Sequence, residues 1–446
     1  MNSTSASPPE PPRLRDFLAR RPTLRLDAPG ASLLGAEILA SSALPRALAD
    51  FAGKSVLVGA QGQLATARAL IELDGVAARL VICPPDFSDD RRTSALTQAK
   101  VEIVATDAPL AAPRAEDAAI PRVASEWVLP TSGTTGAPKL VAHDLSGLVG
   151  AIDPSAEPRV WATFYDIRRY GGLQIFLRAC VSGARLVLCD PQESLGDFAA
   201  RCKAAGVTHV SGTPSHWRRL LMSPHVRDFA PQYVRLSGEI ADRAILDALR
   251  AAYPEARIVH AYASTEAGVG FEVADGREGF PASFLDGLEG VDMRLADGAL
   301  RLRSKRTARR YVGRDDLVLR DEDGFVDTGD MVERVGERCF FKGRRSGVVN
   351  VGGLKVHPEE VERVVNRHGD VRMSRVFARK NPIVGDLLVA EIVLTETGAT
   401  RPQAAVRDEV LAACRAELPR HMAPASVKIV PALEVTAGGK LARAHA

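Results

Sequence analysis

Residues 130–139 combine the residue types that a protein uses to hold a chain of phosphate groups. Glycines let backbone N–H groups approach an anion closely, and hydroxyl and lysine side chains add hydrogen-bond donors. Only two residues separate the last glycine from the lysine, so the spacing differs from that of the GxxxxGK[ST] phosphate loop. We predict a phosphate-binding loop of another type, against the alternative of a polar surface turn. Its residues are Thr131, Ser132, Gly133, Thr134, Thr135, Gly136 and Lys139.

Tyr262, Thr265 and Glu266 lie at the end of a strand-like run and add an aromatic ring, a hydroxyl and a carboxylate. A carboxylate beside phosphates needs a cation to balance the charge, and Mg²⁺ takes oxygen ligands. The alternative for Glu266 alone is a carboxylate that stabilises the N-terminus of a helix. Because the segment follows a phosphate-binding loop, it favours a nucleotide site with a magnesium ion.

Asp330, in the sequence Thr-Gly-Asp, is a further candidate binding residue. An ionised carboxylate accepts hydrogen bonds from both hydroxyls of a diol, which suits a ribose, whereas a turn aspartate is the alternative. Gly238 and Glu239 follow another strand-like run, residues 233–236, where a plain strand-to-helix loop is the alternative.

The elements that must position these residues are short apolar runs that alternate with amphipathic helical patterns. Helical spacing of apolar residues marks residues 195–205 and 241–252. Such alternation predicts α/β layers with largely parallel sheets, whose strands end in loops where ligands usually bind. The runs that look like strands are residues 55–58, 79–83, 101–105, 126–129, 159–164, 185–189, 207–210 and 257–262.

From about residue 343 the pattern changes to that of a compact α+β unit of about 100 residues. Strands are predicted over residues 348–351, 355–357, 371–378, 387–394 and 426–431, and helices from Pro358 and over 404–418. We therefore predict an α/β protein with a large N-terminal domain of layered sheets and a small C-terminal α+β domain. The predicted bounds are 1–342, with a disordered leader over 1–12, then a hinge over 343–347 and the small domain over 348–446.

Composition excludes several classes of partner. The chain has 58 basic and 55 acidic residues among 446, and so small an excess gives no reason to expect nucleic acid or an anionic membrane. No apolar run is long enough to span a bilayer, and residues 1–12 do not resemble a secretory signal. The cysteines form no CxxC pair and the histidines show no metal-ligand spacing. We expect reduced thiols, no histidine metal site and a cytoplasmic protein.

Taken together, the segments resemble the adenylate-forming superfamily, which includes acyl-CoA synthetases, adenylation domains of non-ribosomal peptide synthetases and luciferases. The resemblance rests on TSGTTGxPK at 131–139, Tyr-Ala-Ser-Thr-Glu at 262–266, Thr-Gly-Asp at 328–330 and Gly-Gly-Lys at 438–440. It covers most of the chain from about residue 125, and Ala263 stands where the family usually has glycine. The resemblance implies ATP and Mg²⁺ as ligands and a carboxylic acid that is activated as its acyl-AMP.

By this resemblance, Tyr262 stacks on adenine, Gly238 and Glu239 line the adenine pocket, and Asp330 and Arg344 contact the ribose.

The same resemblance assigns catalytic roles to Thr265, Glu266 and Lys440. Thr265 contacts the α-phosphate, and Glu266 helps to hold Mg²⁺. Lys440 bridges the substrate carboxylate and the α-phosphate, because two anions must be neutralised as they approach. Taken alone, a lysine so close to the end of the sequence is more often a solvated tail residue.

Residues 343–362 resemble the family's GRxxDxIxxxGxxxxPxEVE segment, around which a mobile C-terminal domain rotates between two half-reactions. Gly352 and Gly353 would then lie beside the pantetheine thiol, where glycines leave room for a thin arm. The family's hinge is usually Asp or Lys followed by Asp, whereas this chain has Ser346 and Gly347. The departure is compatible with rotation but puts any charge contact at the hinge in doubt.

The acyl pocket is expected around residues 161–172 and 211–217, and Asp166 is its least certain member. Its carboxylate either pairs with the amine of an amino-acid substrate or forms an ion pair with Arg168 or Arg169. The residues expected to line the pocket are Tyr165, Asp166, Tyr170, Gly171 and His216.

We therefore expect an AMP-forming acid–thiol ligase similar to acyl-CoA synthetases. The sequence carries no attached carrier module, which favours coenzyme A over the phosphopantetheine of a carrier protein as the thiol. One alternative is a stand-alone adenylation enzyme that loads an aryl or amino acid onto a carrier protein. Another is a degenerate nucleotide-binding protein without turnover, while nothing in the residues supports a luciferase-type oxygen step.

Overall fold

The computed structural model describes residues 10–42, 44–59, 62–105, 112–113, 120–131, 137–381 and 385–443. The chain forms two compact units. The first comprises residues 1–192, 264–269 and 305–319, and the second comprises residues 193–263, 270–304 and 320–446. Each unit therefore gathers segments that are far apart in the sequence.

The first unit contains a six-stranded sheet whose four parallel strands are apolar runs predicted from the sequence. All four residues of Ser55–Val58 are buried, as expected for a parallel strand that is covered on both faces. The two remaining strands are antiparallel additions at one side. The order across the sheet is Arg310–Val312, Leu140–His143, Glu126–Pro130, Arg79–Ile82, Ser55–Val58 and Ile103–Ala105.

Four further strands of the first unit pair side by side. Val160–Thr163 and Arg25–Ala28 both run parallel to Arg185–Leu188, and Ala31–Leu34 is antiparallel to Arg25–Ala28. A short antiparallel pair joins Ser41–Ser42 and Ala112–Pro113. The helices of this unit are Leu14–Arg20, Gly35–Ala40, the 3₁₀ turn Leu48–Phe51, Gln63–Leu73, Asp89–Gln98, Leu145–Val149 and Tyr170–Ser182.

The second unit contains three parallel strands, His209–Gly212, Tyr233–Ser237 and Arg257–Ser264, the last of which reaches into the first unit. Their carboxyl ends meet at one edge, which places Thr213 and Gly238 on that edge. Thr213 caps the helix Pro214–Leu221, whose first residue is a proline suited to that position. The other helical elements here are Leu195–Ala205, the 3₁₀ turn Pro224–Arg227 and Arg243–Ala252.

A five-stranded antiparallel sheet in the second unit was not predicted from the sequence. Its strands carry many charged residues, so their apolar runs are short. The strand Gly268–Val273 and the 3₁₀ turn Ala282–Asp286 precede most of it. The sheet consists of Phe280–Pro281, Val291–Ala296, Ala299–Ser304, Val326–Val335 and Arg338–Arg344.

The C-terminal part of the second unit is an α+β arrangement, as predicted. A hairpin pairs Val349–Val351 with Leu354–Val356, and its two-residue tip is Gly352 and Gly353, both with positive φ. Helix Pro358–Val365 packs with a three-stranded sheet around a buried cluster that includes Val361, Ile392 and Val410. The other elements are the turn Arg345–Gly347, strands Val371–Asn381, Gly385–Leu394 and Ser426–Ile429, and helices Glu396–Ala399 and Gln403–Glu417.

The structure confirms the mixed α/β prediction, and most predicted elements exist with ends shifted by one to three residues. The strand expected over 207–210, for example, is His209–Gly212. The domain bounds 1–342, 343–347 and 348–446 remain a prediction. Among the described residues, no helix combines the length and hydropathy needed to cross a membrane.

Candidate active site

Asp330 lies between the two groups predicted to accompany it at the adenosine end of ATP. In the antiparallel pair Val326–Val335 and Arg338–Arg344, Asp330 stands opposite Arg344, whose Nε donates to Asp330 Oδ1 at 3.0 Å. The Tyr262 hydroxyl donates to Asp330 Oδ2 at 2.5 Å. Burial, reinforced by this carboxylate, raises the pKa of Tyr262 well above its usual value, so the phenol keeps its proton and continues to donate.

The Tyr262 ring belongs to an aromatic cluster in the second unit. Phe341 lies nearly parallel to it, with ring centroids 5.2 Å apart and planes inclined by 9°, and Phe271 lies at 5.6 Å and 18°. Phe280 and Phe284 extend the cluster beyond Phe271. The cluster holds Tyr262 as part of a stacked aromatic platform, and Phe341 is a member that the sequence did not reveal.

Lys440 lies in a short loop closed by its own backbone, which we call the lysine loop (residues 435–441). Val435 and Leu441 form an isolated antiparallel bridge, and the backbone N–H of Thr436 donates to the carbonyl of Lys440 at 2.7 Å. The N–H of Gly439 returns to the carbonyl of Thr436 at 2.8 Å. The loop is therefore a preformed turn rather than a loose tail.

The lysine loop contacts the edge formed by the parallel strands of the same unit. The Thr213 hydroxyl donates to the carbonyl of Gly439, and the N–H of Leu441 donates to Glu239 Oε1 at 2.7 Å. A Cβ atom added to Gly238 would lie 3.3 Å from Lys440 Cε and 3.8 Å from Nζ. The structure thus brings together Gly238, Glu239 and Lys440, which the sequence separates by about two hundred positions.

Glu239 and His216 both contact the lysine loop. Glu239 also accepts hydrogen bonds from the N–H of Ser215 at 2.9 Å and from its hydroxyl at 3.0 Å. Burial, with a smaller contribution from Arg219, lowers the pKa of His216 to about 3, so its ring is neutral. A Cβ atom on Gly439 would lie 1.7 Å from His216 Cε1, so only glycine fits over this ring. His216, expected either in the acyl pocket or as a packing residue, packs against the lysine loop.

Thr265 and Glu266 lie in the first unit, and their backbone is fixed from two sides. His143, which is 1% exposed, places Nε2 2.7 Å from the carbonyl oxygen of Thr265. The N–H of Ala308 donates to the carbonyl of Glu266 at 2.9 Å. Burial, together with the Glu266 carboxylate, raises the pKa of Tyr311, which keeps that phenol protonated.

The predicted phosphate-binding loop is described only at its two ends. The N–H of Thr131 donates to the carbonyl of Lys139 at 2.8 Å, which closes the base of the loop, and the Lys139 side chain is exposed. Residues 132–136, which include Ser132, Gly133, Thr134, Thr135 and Gly136, lie outside the described residues.

The predicted acyl-pocket residues of the first unit follow the strand Val160–Thr163. Asp166 is buried, and Arg168 Nε and Nη2 donate to its two carboxylate oxygens at 2.8 and 2.6 Å. The pairing with Arg168 is one of the two arrangements considered for Asp166, and it occupies both oxygens. Gly171 lies close to Tyr165, because a Cβ atom on Gly171 would be 3.5 Å from the Tyr165 ring. Tyr170 precedes Gly171 at the start of helix Tyr170–Ser182.

Gly352 and Gly353, predicted beside a pantetheine thiol, occupy the exposed tip of the hairpin that ends at Val356. No heavy atom lies within 4 Å of a Cβ atom built on either glycine. Leu354, next to them, is 50% exposed. The hairpin tip therefore stands in the open in this conformation, at least with respect to the described residues.

Two clusters of predicted residues thus form within the second unit: Tyr262, Asp330 and Arg344, and Gly238, Glu239 and Lys440. Their catalytic roles remain predictions. Sequence reasoning missed the contribution of Thr213 to holding the lysine loop, although Thr213 followed by Pro214 is a recognisable helix start. It also missed His143 and Phe341, for which no local signal exists.

Family models match two parts of this chain. The family described as AMP-binding enzyme matches residues 56–297, and the family described as AMP-binding enzyme C-terminal domain matches residues 360–440. A 2-succinylbenzoate–CoA ligase of Salmonella typhimurium is 28% identical over 59% of this chain and 56% of its own length. The fatty acid–[acyl-carrier-protein] ligase MmaC of Mycobacterium marinum is 31% identical over 27% of this chain and 23% of its own length. The matches therefore span about half, or less, of these relatives.

Among solved structures, that of the anthranilate CoA ligase AuaEII in complex with anthranoyl-AMP has the same fold. Its TM-score is 0.78 at 17% identity, covering 97% of this chain and 96% of the other. The chain is a member of the AMP-binding enzyme family, within the adenylate-forming superfamily, with a larger AMP-binding domain and a smaller C-terminal domain.

Proposed function

We propose that this protein activates a carboxylic acid with ATP and transfers the acyl group to the thiol of coenzyme A. In the first step a carboxylate oxygen bonds to the α-phosphorus, and the bond from that phosphorus to the leaving pyrophosphate breaks. In the second step the thiol sulfur bonds to the acyl carbon, AMP leaves, and the thiol loses its proton.

The observation that carries this proposal is the contact of the lysine loop with Gly238 and Glu239. Lys440 is half-buried, and its alkyl chain lies against the Gly238 backbone. In the first step two anions approach each other, so a cation held at that point lowers the barrier more than a cation in bulk water would. The Nζ of Lys440 is the group that supplies this charge.

Tyr262, Asp330 and Arg344 suit the adenosine part of ATP. Asp330 is held by Arg344 and by a tyrosine that stays protonated, so its carboxylate remains available in a fixed direction to accept from ribose hydroxyls. The stacked rings of Tyr262 and Phe341 offer an apolar platform for a purine. Such a rigid site positions the α-phosphate without loss of side-chain entropy on binding.

Glu266 and Thr265 are the residues that would serve the phosphate side. Glu266 has the oxygen ligands that Mg²⁺ prefers, and its backbone is fixed by Ala308. When bound there, Mg²⁺ would neutralise part of the phosphate charge. The exposed amine of Lys139 and the backbone of residues 131–139 are the proposed partners of the terminal phosphates.

The exposed hairpin tip at Gly352 and Gly353 supports transfer to a thin thiol arm in a second conformation. Coenzyme A and a carrier-protein phosphopantetheine share this arm, so the hairpin fits either acceptor. We favour coenzyme A because one matched CoA ligase covers 77% of the chain and is itself covered to 75%, whereas the peptide synthases that match 71% of the chain are covered to at most 23% of their own length.

The Asp166–Arg168 pair favours an acid without an α-amine. The Arg168 guanidinium already neutralises Asp166, and the Arg168 backbone N–H also donates to Oδ1, so an ammonium group would bring an unbalanced positive charge into a buried site. Replacing Asp166 with Asn should then destabilise the fold by about 3 kcal/mol, because Arg168 is left buried with a neutral partner. Thermal or urea unfolding would measure this change. If the variant instead keeps its stability and loses only its activity with amine-bearing acids, Asp166 pairs with the amine of an amino-acid substrate.

The test is acid-dependent ATP–pyrophosphate exchange with aryl, short-chain, medium-chain and amino acids, followed by thioester formation. The acceptors compared are coenzyme A, a holo carrier protein and a carrier protein that lacks phosphopantetheine. Exchange with one class of acid and a thioester with coenzyme A are expected. Exchange followed by transfer to the holo carrier alone would change the acceptor, and tight ATP binding without any exchange would overturn the proposal.

A further inference from the structure

A buried polar network joins the C-terminal family domain, residues 360–440, to the helices of the AMP-binding domain within the second unit. Arg218 on helix Pro214–Leu221 donates to both oxygens of Asp242, at 2.7 and 2.6 Å. Asn366, at the end of helix Pro358–Val365, donates from Nδ2 to Asp242 Oδ2 at 2.9 Å. Arg218 also donates to the backbone carbonyl of Arg372 at 2.9 Å.

Every member of this network is buried and has its position set from its own side. Asp242 caps helix Arg243–Ala252 by accepting from the N–H of Ile245 at 3.0 Å. The Ser374 hydroxyl donates to Asn366 Oδ1 at 2.8 Å, which fixes the amide so that its Nδ2 points at Asp242. Arg218, Asp242, Asn366 and Ser374 are between 2% and 9% exposed.

Two of these hydrogen bonds cross between the two family domains: Asn366 to Asp242, and Arg218 to the Arg372 carbonyl. Breaking hydrogen bonds between buried polar and charged side chains is costly, because each side chain loses its partner in a site that water does not reach. Arg218 lies on the helix that Thr213 caps, and the Thr213 hydroxyl holds the lysine loop. The network and the lysine-loop contacts therefore form or break together when the C-terminal domain moves as a body.

We propose that Arg218, Asp242 and Asn366 form a latch that holds the C-terminal domain in the conformation for acyl-AMP formation and so positions Lys440. These three are positioning residues, since none of them touches the lysine itself. The latch must open before the glycine hairpin can replace the lysine loop at the site. It therefore sets the balance between the two half-reactions, and this inference rests on the two-step function proposed above.

The decisive quantity is the ratio of two rates measured on the same variant. One is ATP–pyrophosphate exchange, and the other is thioester formation from acyl-AMP supplied in place of acid and ATP. For Asn366→Ala, the loss of one hydrogen bond to a charged group should lower the ratio of exchange to thioester formation by about tenfold. The shift appears in whichever rate belongs to the less populated conformation. Arg218→Lys should shift the ratio in the same direction.

Glu193→Gln is the matched control. Glu193 accepts from Arg201 Nε and Nη2 at 2.6 and 2.7 Å, a bidentate pair similar to Asp242 with Arg218, but both partners belong to the AMP-binding domain. A variant that only loses stability lowers both rates together, so its ratio should stay within about twofold of the original value.

Hydrogen–deuterium exchange of the peptide that spans residues 436–443 measures docking of the lysine loop directly and needs no thiol acceptor. The N–H of Leu441 is protected by Glu239 in the docked state, so its exchange should quicken in Asn366→Ala and not in Glu193→Gln. An unchanged rate ratio together with unchanged Leu441 exchange would overturn the latch. If no acceptor gives a thioester but hydrogen–deuterium exchange at Leu441 becomes faster in Asn366→Ala, the proposed two-step function is wrong, whereas the proposal of the latch is supported.

Discussion

The lysine loop and the glycine hairpin belong to the same C-terminal region, yet their surroundings differ sharply. The lysine loop is held by Thr213 and Glu239, and its Gly439 is buried against His216. The hairpin tip at Gly352 and Gly353 touches none of the described residues outside its own strands closely enough to limit a Cβ atom. One functional segment is thus docked while the other is exposed.

The difference shows which of the two predicted half-reactions this conformation suits. A positive charge is already placed against Gly238, as the formation of acyl-AMP would require. For the proposed transfer step, a thiol-binding surface would be completed only after the C-terminal domain has moved. Docking of one segment excludes docking of the other, because both are proposed to serve the same acyl carbon. Substitutions in the two segments should therefore separate the two steps.

The largest effect is expected from Lys440→Ala. The loss of a cation that stabilises developing charge should reduce acid-dependent ATP–pyrophosphate exchange by about 10²- to 10³-fold. Thioester formation from supplied acyl-AMP should fall by less than about threefold, because the lysine leaves the site before that step. Both rates are measured on the same preparation. Equal losses in both would mean that the lysine loop does not serve the first step alone.

Gly439→Ala should produce the next largest effect. Its φ is +73°, and the added Cβ would overlap the His216 ring, so the lysine loop cannot dock as it does here. Exchange should fall by roughly tenfold or more, a loss that corresponds to 1.4 kcal/mol or more. Gly369→Ala is the control, because a Cβ atom there meets nothing within 4 Å. A Gly439→Ala protein with full exchange activity would show that the docked loop is not the active arrangement.

Gly353→Ala probes the opposite segment. The added methyl group meets open space here, and the left-handed φ of +89° costs roughly 1 kcal/mol of stability. Exchange should change by less than about twofold, whereas thioester formation should fall by roughly fivefold, because the pantetheine arm would lose room. Coupled assays with coenzyme A at saturating acid would measure both. A larger effect on exchange than on thioester formation would reverse the assignment of the two segments.

The smallest effect on either rate is expected for Glu359, whose substitution should instead change how stability depends on pH. Its carboxylate lies against Gly343, and Glu359 Oε1 is 3.6 Å from Arg443 Nε. Burial, opposed in part by Arg443, raises the pKa of Glu359 to about 7. The folded protein therefore binds a proton that the unfolded chain releases above pH 4.5, and this contribution to stability falls as the pH rises from 4.5 to 7.

Glu359→Gln removes this titration and should flatten that part of the stability profile by up to about 3 kcal/mol. Urea unfolding at pH 5 and pH 7.5 would compare the variant with the unaltered protein. Glu409→Gln is a suitable control, since Glu409 is an exposed partner of Arg401 whose pKa is lowered. A pH dependence that persists in Glu359→Gln would place the proton elsewhere.

The sequence predicted those helices and strands whose signals are local, such as apolar runs and helix-start residues. The buried parallel strands Ser55–Val58 and Arg79–Ile82 are recognisable because both faces are covered and the run is uniformly apolar. The helix that begins at Pro358 follows from a proline in the first turn and acidic residues beside it. The five-stranded antiparallel sheet escaped prediction because its strands mix charged and apolar residues, although two of its pairs are hairpins with short turns at residues 297–298 and 336–337. Only the pairing of Ala299–Ser304 with Val326–Val335 joins these hairpins across a longer separation in the sequence.

The sequence by itself indicated the class of protein, because the segments at 131–139, 262–266, 328–330 and 438–440 occur in the order typical of the adenylate-forming superfamily. It also indicated a small C-terminal domain of α+β type. Only the tertiary structure decided what each side chain meets: Arg168 at Asp166, His216 beneath Gly439, and Asn366 at Asp242. These outcomes depend on which distant segments become neighbours, and the burial and charge of those neighbours are properties that no local stretch of residues contains.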